Sequence, residues 1–370
     1  MSQAPIRAAV LGYGLAGRVF HCPFIAVVPG LELAAIVFRS AESAANSTAA
    51  ADYPAARILN SLDEAFTDPS LDLIVVATPN NSHFELAARA LRAGKHVVVD
   101  KPITSTSAET RELITLATQQ GKVLAPFHNR RFDGDFLTLR KLVAVNTLGR
   151  IVHLSSHFDR FRPQQRAGSW KEAAGVSNGL LFDLGPHLVD QALALFGAPA
   201  RITASVRFDR DVTAIDDAFD IVLEYDLAGK ILRYECHASM IAAEPAPRFH
   251  VNGTLGSFVK YGLDPQENAL KDEMHPPRLG DPGDWLPEPD SAWGTLTTAA
   301  DPSDPTQLQR TKLPTIHGDY RLFYASVRDA ILGHAPLAIP AEDAFRTIRL
   351  LELALQSSQE QRTLPVVFSE

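Results

Sequence analysis

One short stretch constrains this chain more than any other. Residues 6–11 (IRAAVL) have the composition of a buried strand and run directly into residues 12–17 (GYGLAG), a G-x-G-x-x-G. A helical stretch from about Arg18 to Val27 follows, then a second apolar run over 31–38 (LELAAIVF) that reads as a second strand. A lone G-x-G-x-x-G is weak evidence. One set between a strand and a helix, with another strand at βαβ distance, is a much stronger signal of a dinucleotide-binding turn. Gly12 allows the tight turn, Gly14 lets a pyrophosphate approach the backbone, and Gly17 lets helix and strand pack closely. Gly12, Tyr13, Gly14, Leu15, Ala16 and Gly17 are therefore expected around the cofactor, with the free N–H groups of the helix N-terminus facing its phosphates.

The end of the second strand bears on which dinucleotide is held. An NAD site usually carries Asp or Glu there to accept from the ribose 2′-OH. This chain has 37–43 (VFRSAES), with Arg39 and Ser40 in the acid's place. A guanidinium can grip a 2′-phosphate and a hydroxyl can add to it, whereas a carboxylate would repel it. NADP is the expected cofactor, and the nearby Glu42 keeps NAD open as a second one.

Two further strands deliver residues to the same edge. Residues 71–78 (LDLIVVAT) lead into Pro79, Asn80, Asn81, Ser82 and His83, with Ser82 as candidate N-cap of a helix over 83–94 closed by Gly94. Residues 96–99 (HVVV) lead into Asp100, Lys101 and Pro102. Ligands of parallel sheets bind at the carboxyl ends of strands, so Thr78, Pro79, Asn80, His83, Lys101 and Pro102 join the expected cofactor set.

Four segments, 12-GYGLAG-17, 78-TPNNSH-83, 94-GKHVVVDKP-102 and 183-DLGPHLVD-190, together resemble the Gfo/Idh/MocA oxidoreductase family, over nearly the whole chain. Stretches such as 127-FHNRRFDGDFLTL-139, 157-HFDRFRPQ-164 and 259-VKYGLDPQE-267 are similar to its NADP-dependent scyllo-inositol dehydrogenase branch and the related uncharacterised oxidoreductases. The usual Glu-Lys-Pro tripeptide is Asp100-Lys101-Pro102 here, which keeps the charge and shortens the reach. The resemblance implies a cis Lys101–Pro102 bond.

The second half alternates apolar and polar residues over 201–208, 218–225 and 230–239, as half-exposed antiparallel strands do. With 150–158 and 256–261 they suggest one open, mainly antiparallel sheet, with helices over one face at about 134–145, 183–196, 319–333 and 340–359. The fold class expected is α/β: a Rossmann domain over 1–125 and an α+β substrate-binding and oligomerisation domain over 126–370. The Pro-, Asp- and Gly-rich segment from about Asp264 to Leu313 reads as a long irregular excursion.

Within 179-GLLFDLGPHLVDQALALFG-197, Asp183 and His187 are four apart. They share a face if Asp183 opens the helix, a position that also suits Pro186, tolerated only near a helix start. Oxidising a secondary alcohol requires a proton acceptor. His187 is the natural base near neutral pH, Lys101 can stabilise the developing alkoxide, and Asp183 can orient a neighbouring hydroxyl. The resemblance assigns the same three positions. The spacing through Asp190 also suits a metal, but no further ligand cluster accompanies it and hydride transfer to a nicotinamide needs none; no metal is expected.

The arginine-rich patches admit two readings. Asn129, Arg130, Arg160 and Arg162 line the substrate cleft, or the arginines are salt-bridged surface, with Arg131 paired to Asp133 or Asp135. His128, His157, Asp159 and Trp170 are weaker candidates. A net charge of −8 without a basic stripe argues against a nucleic-acid partner. No apolar run is long enough for a bilayer and no signal peptide is read, so no membrane association is expected. Only Cys22 and Cys236 are present, which suits a reduced, cytoplasmic protein. Val206, Phe208, Ile221, Leu223, Ile231 and Tyr234 are expected to line an uncovered apolar sheet face, and hence a homodimer or larger even-numbered oligomer. The function expected is NADP-dependent hydride exchange with a cyclic polyol, inositol or sugar. A catalytically silent NADP-binding regulator, or an oxidoreductase for an acidic or phosphorylated sugar, are the alternatives.

Overall fold

The computed structural model describes residues 4–166, 168, 172–301 and 304–368. They form two compact units, neither continuous in sequence. The first takes the described residues within 1–132, 265–285 and 319–345; the second takes those within 133–264, 286–318 and 346–370.

The first unit is built on six parallel strands: β1 (Ile6–Leu11), β2 (Leu31–Val37), β3 (Arg57–Leu59), β4 (Leu73–Val76), β5 (His96–Val99) and β6 (Leu124–Pro126). Their order is β3-β2-β1-β4-β5-β6, so the winding reverses between β1 and β4. Unbroken apolar runs such as LIVV in β4 are buried throughout, because helices cover both faces of a parallel sheet. The helix Ser107–Gln120 is closed at both ends by its own sequence. Thr106 and Glu109 form a capping box, and Gly121 ends it in the left-handed region. The helix after the glycine turn differs from expectation. Its first turn, Ala16–His21, is a wide π-type turn, with Cys22 N–H donating to the Gly17 carbonyl, and the α-helix proper is Cys22–Val27.

The second unit holds β7 (Ile151–His157), β8 (Arg201–Arg207), β9 (Ala218–Leu227), β10 (Lys230–Ser239), β11 (Phe249–Gly253), β12 (Gly256–Lys260), β13 (Gly294–Asp301), β14 (Asp304–Leu313) and β15 (Leu364–Pro365). Their order is β14-β13-β12-β11-β7-β10-β9-β8-β15, antiparallel except where β10 meets β7. β13 and β14 correct the expectation of an irregular excursion up to Leu313: residues 294–301 and 304–313 contribute two antiparallel strands at the sheet edge. Both are edge-side strands rich in Thr, Gln and charge, so they lack the apolar alternation that marks strands buried on one face.

The helix Leu180–Phe196 packs on β9 and β10. Phe196 meets Tyr225 and Tyr234 at centroid distances of 5.6 and 6.1 Å. This settles which strand residues are covered. Ile221, Leu223 and Tyr234 lie on the helix side and are fully buried, contrary to the expectation of an open apolar face. The opposite face carries Asp220, Val222 and Glu224 of β9 against His237, Glu235 and Arg233 of β10, so it is polar. Phe208 and Ile231 of the expected set are exposed. The apolar half of each alternating strand went to the helices, as burial energetics demand.

Candidate active site

In the first unit, the glycine turn follows β1 at the switch point. Gly12 has φ +95°, and a Cβ there would come within 2.8 Å of the Ala77 carbonyl oxygen at the end of β4. A Cβ on Gly17 would sit 2.1 Å from the Gly12 carbonyl oxygen, whereas one on Gly14 would meet nothing within 4 Å. Gly12 and Gly17 thus allow the chain to fold on itself, and Gly14 leaves open space beside the backbone. The cradle fits a pyrophosphate. Tyr13 donates to Asp52 at 2.6 Å, and burial followed by that carboxylate pushes its phenol well above its usual range. Leu15 is exposed and Ala16 opens the wide turn.

Arg39 and Ser40 follow β2. Arg39 is exposed. The Ser40 hydroxyl accepts from Ser43 N–H at 3.2 Å and caps the short helix Ala41–Ala45. After β4, Thr78 Oγ1 and Ser82 Oγ lie 2.7 Å apart, and Ser82 donates to the Pro79 carbonyl. Ser82 therefore holds the N-cap position of the helix His83–Arg92 without capping it through its side chain. Asn80 opens a single 3-10 turn between them.

His83 is fully buried. Its Nε2 lies 2.8 Å from the Thr78 carbonyl oxygen and its Nδ1 2.8 Å from that of Pro102. The Lys101–Pro102 bond is cis. Asp100 accepts the Lys101 N–H at 2.8 Å, so the acid tethers the lysine loop. Behind it stands His21, a residue that sequence patterning gave no reason to single out. Its Nδ1 lies 2.6 Å from the Tyr324 hydroxyl and its Nε2 4.0 Å from Asp100 Oδ1. Burial pushes His21 down to about 4, against the pull of Asp100. Arg130, also in this unit, is buried, ion-paired with Glu267 and 3.4 Å from the Tyr320 hydroxyl. Burial raises the Glu267 pKa, but Arg130 and then Lys271 outweigh it and hold it at about 2. Arg131 pairs with Asp343 at 2.9 Å. Asn129 and His128 are buried beside them.

In the second unit, Asp183 lies in the first turn of Leu180–Phe196 and His187 one turn on. The helix begins before Asp183 because Asp216 caps it from a distance: its carbonyl accepts the Leu180 N–H at 2.9 Å, and its carboxylate the Leu181 N–H at 2.7 Å. Pro186 consequently stands inside the helix rather than near its start, correcting the expected register. His187 is buried, its ring 6.1 Å from that of Phe158. Arg160 Nη1 stands 3.6 Å from Asp183 Oδ2. Arg160 and Arg162 are held by N–H bonds to Ser239 and Met240 at 2.9 and 2.7 Å. Burial and then its neighbours Arg160 and Arg166 lower the Arg162 pKa. Asp190 is buried in the same helix, and Trp170 lies outside the described residues.

A doubly wound sheet with this glycine turn at its switch point defines the first unit as the nucleotide-binding part of an NAD(P)-binding oxidoreductase. Residues 6–128 match the family model "Oxidoreductase family, NAD-binding Rossmann fold", and residues 140–366 match "Oxidoreductase family, C-terminal alpha/beta domain". The chain belongs to the Gfo/Idh/MocA family of oxidoreductases. It is 42% identical to the uncharacterized oxidoreductase YdgJ of Escherichia coli (strain K12), over 97% of this chain and 98% of that one. It is 35% identical to the scyllo-inositol 2-dehydrogenase (NADP(+)) IolW of Bacillus subtilis (strain 168), over 97% and 95%. A crystal structure of an oxidoreductase from Bacillus cereus superposes with a TM-score of 0.86 at 30% identity, covering 99% of each chain. Among the described residues no helix is long and apolar enough to cross a membrane.

Proposed function

We propose that this protein is an NADP-dependent dehydrogenase or reductase that exchanges a hydride with a secondary alcohol of a cyclic polyol, inositol or sugar. The observation that carries the reading is the arrangement on the helix Leu180–Phe196: a buried His187 with Asp183 one turn earlier, and Arg160 beside that acid. The relative named as an NADP-dependent scyllo-inositol dehydrogenase supports the substrate class.

Alcohol oxidation removes a proton from oxygen and a hydride from carbon. When bound, the nicotinamide supplies the hydride acceptor. His187 takes the proton, since an imidazole is the side chain best matched to that task near neutral pH. Lys101 donates to the same oxygen and stabilises negative charge as it develops. Asp183 accepts from a neighbouring hydroxyl and fixes the ring, with Arg160 holding its carboxylate. Arg162, Asn129 and Arg130 donate to further hydroxyls, with Glu267 setting the Arg130 guanidinium in place. Residues 1–125 form the cofactor domain in this scheme, and residues 126–370 serve substrate binding and oligomerisation. Two buried, unpaired thiols, Cys22 and Cys236, suit work in a reducing cytoplasm.

The test is turnover measured by nicotinamide absorbance with NADP⁺ and a panel of scyllo- and myo-inositol, glucose, xylose and their phosphates, beside a cofactor titration. Oxidation of an unphosphorylated ring polyol supports the reading. Turnover confined to the phosphates redirects it to acidic sugars, and tight NADP binding with no turnover on any alcohol overturns it in favour of a regulator.

A further inference from the structure

We propose that His157, Asp159 and His237 form a binding site for one divalent ion of the zinc class on the polar face of the second unit's sheet. Among the described residues they are the group of His and acidic side chains whose ligand atoms all approach within 4.8 Å of one another. Strand register builds most of it. His237 of β10 is in register with His157 of β7 on one side and with Asp220 of β9 on the other. Paired residues share a face, so three adjacent strands line up Asp220, His237 and His157 in one row. Asp159, two residues beyond His157, closes the group from the strand end.

The spacing is that of a coordination sphere. His237 Nε2 lies 3.4 Å from Asp159 Oδ1, and His157 Nδ1 3.6 Å from Asp159 Oδ2. Ligands about 2.0–2.1 Å from a tetrahedral zinc stand about 3.3–3.4 Å from one another. The other side of each ligand is already arranged. His237 Nδ1 is hydrogen-bonded to the Asp220 carboxylate, which leaves Nε2 as the atom facing Asp159. A carboxylate behind a ligating imidazole is the common outer-shell device for fixing its tautomer and orientation. Arg207 in turn holds Asp220. Asp159 Oδ2 accepts from Ala246 N–H at 3.1 Å, which steadies the carboxylate.

Unspent polar capacity converges on the same point. The Asp159 side chain is only 4% exposed, yet its Oδ1 has no hydrogen-bond partner. His157 Nδ1 is likewise buried without one. Buried polar atoms without hydrogen bonds are costly, and two of them converging on one cluster give a cation its ligands. Three protein ligands leave the fourth position to water. Binding displaces the proton from His237 Nε2, and the ion ties together the ends of β7 and β10. The site is separate from the hydride chemistry proposed above and does not depend on it.

The experiment uses the full chain, treated with a chelator and then titrated with zinc by calorimetry, with cobalt(II) as a spectroscopic probe. About one equivalent per chain is expected, with visible cobalt bands that zinc abolishes and a Tm that rises on adding zinc. His237→Ala and Asp159→Asn should each weaken binding at least about tenfold, and Asp220→Asn by about 10–100-fold through the outer shell. His157→Gln provides a fourth variant should one of these fail to fold, as judged by circular dichroism. The proposal is overturned if the chelator-treated wild type binds no zinc, or if folded variants keep its stoichiometry and affinity.

Discussion

His83 Nδ1 lies 2.8 Å from the carbonyl oxygen of Pro102, tying the segment after β4 to the lysine-bearing segment after β5. The same ring reaches Thr78 at 2.8 Å, so one buried side chain sets two strand ends against each other. A neutral imidazole carries one N–H, so replacing it by Ala removes one donor to these carbonyls, at about 1–3 kcal/mol, and the packing that holds the two segments together. His83→Ala is expected to raise the cofactor Kd about tenfold or more in a fluorescence titration, with His83→Asn intermediate. Wild-type affinity in His83→Ala would show that the two segments hold their places without it.

In the proposed reading, Arg39 holds the 2′-phosphate of NADP. Removing a hydrogen bond to a charged group costs about 1.5–3 kcal/mol. Arg39→Ala should therefore raise the KM for NADP about 10–100-fold and change that for NAD little. Equal effects on both cofactors, or a wild-type preference for NAD, would remove Arg39 from the 2′-phosphate.

The chemical step should depend on His187 and Lys101. A general base contributes about 10²–10⁴-fold and one preorganised donor about 10²–10³-fold. Each alanine variant is expected to lower kcat by at least about a hundredfold, with NADP affinity in His187→Ala within a few-fold of wild type. The double variant should lose less than the product if both groups serve one oxygen, as proposed above. A fully multiplicative loss would mean that they act independently.

Acid should destabilise the protein through His21. Its folded pKa, about 4, lies below the ordinary value of 6.5 because of burial, so the native state binds fewer protons than the unfolded state between those values. Stability is then fully present above about pH 6.5 and falls as pH drops toward 4, by about 3 kcal/mol for this group. His96, lowered to about 4 by burial and then by Lys122, adds a slope of the same sign. Urea midpoints measured across that range should show a shallower loss in His21→Gln. An unchanged slope would mean that His21 binds its proton alike in the folded and unfolded states.

Assembly is expected through the polar face of the second sheet, as a homodimer or larger even-numbered oligomer. Exposed pairs such as Arg201–Glu224 and Arg233–Glu235 would give such an interface a marked salt dependence. Light scattering should show a multiple of 40.2 kDa that declines as salt is raised. A monomer at micromolar concentration and low salt would refute it.

What was legible in the sequence was whatever local pattern controls. The glycine turn and the continuous apolar parallel strands announce themselves within a few residues. The start of the helix Leu180–Phe196 did not, because its cap is Asp216, far along the chain. The strand pair β13 and β14 escaped because its residues are not sorted into a dry and a wet face. The alternation in β9 and β10 marked strands correctly but does not say which face the helices take, so Ile221 and Tyr234 were assigned to the wrong side. Partners such as Glu267 for Arg130 and Tyr324 for His21 depend on tertiary neighbours that no spacing rule reaches.

The discontinuity of the first unit also sets a timetable for its birth. At about 5–20 residues per second, a ribosome needs tens of seconds to travel from His21 to Tyr324. Arg328, whose guanidinium reaches the carbonyl of Pro29 at 2.8 Å, emerges later still. The nascent sheet of β1–β6 therefore leaves the exit tunnel with His21 and Arg130 lacking their Tyr324 and Glu267 partners. The nucleotide-binding half is begun first but completed only with residues 319–345, near the end of synthesis, and a chain that stalls in between exposes a half-built unit to chaperones and proteases.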